Sequence, residues 1–393
     1  MDFQVVAAGV FVAILTVIVL MNKKKLEMQK ILFPLLYIIL YRSKWGLDFM
    51  KKTANKHPRL MKALGSIGVV IGFIGMIFIS VQLIMVFADM LRTPDAPSGV
   101  APVLPVPVEG AVYVPFFFWI ISLFIIATVH EFSHGIISNV HKIPVRSSGF
   151  AVFGLVLPII PAAFVEPDEK ILQRKSAWKQ LSVFAAGPFS NILLAFLVLG
   201  LMLITVNPLA GAAYIDNGVT IQSISENTSA SAMNLTEGEL ILEVNNNDVL
   251  TIEEFVDQLD GTEPGDMITL TTNASAYSGQ LGEHPSEDKG YLGVTVAPST
   301  VPNEEFVAKY GMFSVRVIEW FSELFFWLYV LNLGIGLFNL LPLGIVDGGR
   351  MLQIVLSRMS KSREGEMKAQ KIWKIVSLAF LFIVLFMLIR SFM

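Results

Sequence analysis

An acidic residue flanked by two histidines stands in the middle of an apolar run, which restricts both the fold and the chemistry of this chain. Residues 115–140 read PFFFWIISLFIIATVHEFSHGIISNV, enough to cross a bilayer as a helix, and His130, Glu131 and His134 lie inside that run. Ionisable groups at membrane depth are costly and usually mark function. Histidines four apart stack on one helix face and can share a metal ion, with the intervening Glu beside it to take a proton from water. The spacing therefore predicts metal-assisted peptide hydrolysis within a membrane.

Composition supports a membrane setting. The chain is 54% hydrophobic and 16% charged over 393 residues, well outside the soluble globular range. It has no cysteine, which excludes disulfides, thiolate metal sites and thiol catalysis. A metal must use histidine and carboxylate.

Runs of spanning length fall at residues 3–21, 67–91, 115–140, 181–206, 315–341 and 373–390, which predicts six transmembrane helices. A shorter apolar stretch, 31–41, contains Pro34 and precedes basic residues, so it reads as an interfacial helix. No basic region precedes the first run, and Lys23, Lys24 and Lys25 follow it, which argues against a cleaved signal peptide.

The loop after the first run is dense in Lys and Arg, and so are residues 141–179 and 350–371. The positive-inside rule assigns all three to the cytoplasm, a placement that six spans satisfy. The acidic stretch 207–300 then lies outside, where sequons at Asn227, Asn234 and Asn273 permit glycosylation without showing it. His130 falls about 22 Å below the outer end of its helix in a core of about 30 Å, which puts the site in the cytoplasmic half.

Two histidines leave a hydrolytic zinc one protein ligand short. A third histidine at metzincin spacing would fall on Val140, and His141 is one step out of register. Asp347, in NLLPLGIVDGGR, approaches from the same predicted side as His130 and His134, although alone it reads more readily as an Asp in a Gly-rich turn than as a ligand.

The pairing of HExxH in one span with Asn339-x-x-Pro342-x-x-x-x-Asp347-Gly348 after a later one resembles the site-2 protease family of intramembrane zinc metalloproteases. Weaker matches are Gly187-Pro188-Phe189-Ser190-Asn191 and residues 154–167. The resemblance implies that His130, His134 and Asp347 bind Zn²⁺ and that Glu131 is the general acid/base. It also implies that Asn339 and Asn191 handle the substrate backbone or oxyanion, although a buried Asn is equally a common interhelical hydrogen bonder. Family members are thought to unwind their helical substrates beside a membrane-embedded β-hairpin, for which residues 147–163, rich in Gly, Pro and β-branched residues, are the candidate.

Within the acidic stretch, alternation predicts strands at 219–224, 240–244 and 267–272, and Thr251 with Glu254 forms a capping box opening a helix to about residue 259. The phrase NLTEGELILEVNNNDV is similar to PDZ domains. Between residues 216 and 309 there are seventeen acidic and two basic residues, so an anionic peptide terminus would be repelled at range and a steric role is preferred.

The expected organisation is an N-terminal span with a basic loop (1–66), a protease core in two parts (67–206 and 313–350), an inserted extracytoplasmic PDZ-like α/β domain (207–312) and a C-terminal basic segment with a last span (351–393). The expected partners are single-span membrane proteins and the lipid bilayer, with no nucleic acid. Two other functions compete: a catalytically silent scaffold working through the PDZ-like domain, which the intact Glu131 argues against, and a metal transporter, for which repeat symmetry is lacking.

Overall fold

The computed structural model describes residues 3–32, 36–93, 97–155, 157–284, 289–359 and 362–392. The chain divides into two compact units, residues 203–322 and the remainder. Among the described residues six helices are long and apolar enough to cross a membrane, and the protein is an integral membrane protein by that measure. They are α1 (Phe3–Met21), α3 (Pro58–Arg92), α4 (Phe116–Val140), α5 (Ala177–Leu201, continued as one run to Ala213), α7 (Met312–Phe338) and α9 (Arg363–Arg390). Shorter helices are α2 (Leu47–Lys56), α6 (Ile252–Leu259) and α8 (Asp347–Met359).

In the larger unit, α3 packs closely on its neighbours because its inward face is glycine. A Cβ on Gly68 would stand 3.2 Å from the Phe189 side chain, and one on Gly72 would stand 2.9 Å from Met351 and 3.5 Å from Ala185. Small residues of this kind allow helix axes to approach where no aqueous hydrophobic effect drives association. Val69, Met76, Leu181, Ala185, Leu340 and Met351 form the buried cluster that results.

This unit also holds a four-stranded sheet of β1 (Glu27–Leu32), β2 (Leu36–Ser43), β3 (Val145–Leu155) and β4 (Leu157–Pro167), ordered as numbered and antiparallel across the sheet. The hairpin expected near residues 147–163 is present as β3 and β4. The interfacial helix expected at 31–41 is not: the described residues of that stretch are strand, and Pro34 lies outside them. About ten apolar residues serve a helix or a buried strand equally, and here pairing of Tyr37–Ser43 along β3 decides for strand. Arg42 ties the sheet across its width, donating from Nε to Glu27 on β1 (2.9 Å) and from Nη1 to Ser147 on β3 (3.2 Å) and to Glu166 on β4.

The smaller unit is a sheet ordered β8-β7-β6-β5-β9, from β5 (Tyr214–Ile224), β6 (Leu240–Val244), β7 (Met267–Thr272), β8 (Ala276–Gln280) and β9 (Val294–Pro302). Its core is Val219, Ile221, Ile241, Val244, Phe255, Ile268 and Leu270. The capping box forms as expected, with Thr251 Oγ1 accepting from Glu254 N and Glu254 accepting from Thr251 N, both at 3.2 Å. Glu239 is buried; burial alone would raise its carboxyl, but donation from Thr236, Thr272 and Tyr277 outweighs that and holds it below the usual carboxylate range.

Candidate metal centre

The helical period of α4 turns His130 and His134 to the same side, and both are buried at 9% exposure. Asp347 reaches them from a loop that the sequence folds back on itself. Past the end of α7 the chain turns at Pro342, Gly348 N–H donates to the Asn339 carbonyl (2.8 Å), and α8 begins at Asp347. The two glycines after Asp347 make the turn possible, since a Cβ at 348 would stand 2.2 Å from Leu340 O and one at 349 would stand 1.8 Å from Leu343 O.

The three donor atoms form a near-equilateral triangle. His130 Nε2 lies 3.1 Å from Asp347 Oδ2, His134 Nε2 lies 3.4 Å from the same oxygen, and the two Nε2 atoms are 3.1 Å apart. Tetrahedral zinc with bonds of about 2.0–2.1 Å separates its ligands by about 3.3 Å, so this His₂Asp set fits the ion and leaves its fourth position open. His134 has its ring hydrogen fixed as well: Nδ1 donates to the Val183 carbonyl at 2.7 Å, which bares Nε2 toward the triangle.

Two neighbours shape the space. Gly187 on α5 faces the imidazoles so closely that a Cβ there would stand 2.4 Å from His134 Nε2 and 2.5 Å from His130 Nε2. Glu131, one residue on from His130, accepts from the backbone N–H of Val165 on β4 at 2.8 Å. The site opens into a cavity of about 520 Å³ lined by His130, Glu131, His134, Asp347, Pro161, Ala162, Ala163, Asn191, Asn339 and Arg350.

All six residues singled out in the sequence thus lie around one cavity, but their placements differ. Asn339 is half-buried on the cavity wall, and its side-chain amide has no partner among the described residues. Asn191 is fully buried against His130. His141 is apart from the triangle, with Nε2 3.1 Å from Ser182 Oγ, and burial together with Lys179, Lys62 and Lys175 lowers its pKa to about 4, so it is neutral at ordinary pH. Missing from the sequence reading were the Val165 N–H and the Val183 carbonyl, both backbone groups that carry no residue signature. Gly187 was visible only as part of a motif.

The family model for peptidase family M50 matches residues 118–384, more than half of the chain and every residue of the triangle. The chain belongs to peptidase family M50. This site-2 protease type of metalloprotease shares 27% identity over 287 residues with the uncharacterized protein MJ0971 of Methanocaldococcus jannaschii, covering 70% of this chain and 69% of that one. It is also 26% identical over 254 residues to the zinc metalloprotease RasP of Shouchella clausii, covering 50% of this chain and 57% of that protein. Among solved structures, the PDZ domain of an SdrC-like protein from Listeria monocytogenes matches 21% of this chain and 88% of its own at 21% identity, with a TM-score of 0.20.

Proposed function

We propose that this M50 protein is a zinc-dependent intramembrane endopeptidase that cuts membrane-spanning segments of other membrane proteins, as the second cut of regulated proteolysis. The observation that carries the reading is the His₂Asp triangle with Glu131 beside it, on a helix apolar enough to cross a bilayer. Basic loops on one side support a cytoplasmic placement of the site, with the unit at 203–322 outside. Cleavage of single-span model substrates by the purified protein in lipid tests the reading, and a panel left wholly uncut would sink it.

His130, His134 and Asp347 would hold the zinc, which when bound would supply Lewis acidity toward water and the scissile carbonyl. Glu131 takes the proton from the attacking water and returns it to the departing amine nitrogen. The Val165 N–H holds one carboxylate oxygen, Oε2, and so orients the other, Oε1, for that transfer. Burial of the ligands keeps bulk water from competing for them.

A substrate helix must open before its carbonyls can be attacked, and β4 is suited to receive it. Since Val165 directs its N–H away from β3, the alternation of a strand sends residues 161 and 163 to the same free edge. Pro161 has no N–H, so Ala163 is the next donor along that edge, and Asn339 offers its amide across the cavity. In this reading the unwound substrate pairs with the edge and Asn339 holds its backbone. Ala163→Pro and Asn339→Ala should each slow cleavage by tenfold or more with zinc retained; normal turnover in either variant removes that contact from the account.

The unit at 203–322 is read as PDZ-like and as a steric filter against substrates with bulky outer domains. It has a groove between α6 and residues 290–294, but Lys289 at its edge lies 3.9 Å from Asp260, so little positive charge is left to attract an anionic terminus. Deleting residues 218–298 should admit larger substrates. Unchanged size preference would mean that the unit does something else.

A further inference from the structure

Asn191 makes a contact that its motif did not specify. It is fully buried on α5, and its amide makes one side-chain hydrogen bond, from Nδ2 to His130 Nδ1 at 3.1 Å. Its other arm, Oδ1, is buried with no partner. The one bond that the amide makes crosses from α5 to the imidazole of His130 on α4. It is committed to a residue of the triangle.

The chemistry of that contact concerns which nitrogen of His130 carries the ring hydrogen. With Nδ2 donating, Nδ1 is the acceptor, the hydrogen sits on Nε2, and Nε2–H points at Asp347 Oδ2 3.1 Å away. That arrangement satisfies the site without an ion, but a nitrogen bearing hydrogen cannot be a ligand. An amide has donor and acceptor arms of the same shape, so turning it over places Oδ1 where Nδ2 stood. Oδ1 then accepts from Nδ1–H, and Nε2 is bare toward His134 and Asp347. His134 already has this arrangement by another route, its Nδ1–H donating to the Val183 carbonyl, which cannot donate in return.

We propose that Asn191 is a positioning residue for His130, whose amide oxygen holds Nδ1–H and so presents Nε2 to the metal, and that it does not bind substrate. The inference rests on the zinc reading of the His₂Asp triangle. It makes the two ligands of α4 unequal: His134 is set by backbone, His130 by a side chain that substitution can remove.

The test is zinc affinity, measured by competition with a chromophoric chelator on the full-length protein in detergent, for wild type, Asn191→Leu, Asn191→Asp and His134→Ala. Loss of the outer partner of a ligating histidine typically weakens metal binding 10- to 100-fold, and Asn191→Leu, similar in size with no acceptor, should show that loss. Asn191→Asp keeps an acceptor for Nδ1–H and should bind within threefold of wild type or tighter. Thermal unfolding of the metal-free proteins checks that Asn191→Leu folds; if it does not, Asn191→Ala takes its place, and an aspartate variant more than threefold weaker than wild type overturns the inference by itself. Wild-type affinity in Asn191→Leu, above all with a raised KM, would overturn the inference and leave the zinc site standing, as would an aspartate variant as weak as the leucine one. A wild type that binds zinc no better than His134→Ala would overturn the zinc reading and this inference with it.

Discussion

Gly187→Ala is expected to abolish zinc binding and cleavage together, although it adds one methyl group at a helix position where alanine is ordinarily the better residue. The added carbon would stand 2.4–2.6 Å from His134 Nε2, His130 Nε2 and His130 Cε1, about 1 Å inside ordinary contact with both imidazoles at the tips that face the triangle. The rings cannot back away easily, because His134 is anchored on Val183 O and His130 on Asn191. Overpacking of a buried site costs about 1–3 kcal/mol or more, and here the strain falls on the donor atoms themselves. Zinc affinity should drop by at least 100-fold, equivalent to about 2.7 kcal/mol, and turnover by a similar factor or more. Gly200→Ala on the same helix is the control, since nothing lies within 4 Å of its added Cβ, and it should behave as wild type. Zinc stoichiometry by metal analysis after dialysis reads both. A Gly187→Ala protein with full zinc content would mean that the imidazoles do not converge as described.

What the sequence made legible follows from which interactions have a periodic or compositional signature. The six long helices were readable because each is an apolar run of spanning length, and the pairing of His130 with His134 was readable because four residues make about one helical turn. Asp347 lies more than two hundred residues from His130, so local spacing could not connect them; a shared predicted membrane side and a motif resemblance did so. The expectation for residues 31–41 failed because ten apolar residues without a clear period do not distinguish helix from strand; the deciding partner, β3, is more than a hundred residues away. The contacts that orient the site were hidden for a different reason. Val165 and Val183 act through backbone N–H and C=O, which every such residue possesses, and the partner of Asn191 depends on how α4 and α5 cross.

The second large effect is expected at Glu131. Positioned acid–base groups typically contribute 10²–10⁴-fold in rate, and Glu131 is the carboxylate adjoining the triangle that is not one of its three donors. Gln keeps the shape and can still meet the Val165 edge through its carbonyl oxygen, so the cavity and the ligands should persist. The most direct measurement is cleavage of a single-span model substrate in lipid by wild type and Glu131→Gln, prepared with matched zinc content. The expected result is cut substrate with wild type and a rate at least 100-fold lower in the variant, with zinc retained in both. Equal cleavage by the two proteins, or none by either with zinc bound, would contradict the assignment of this cavity as the site of peptide hydrolysis.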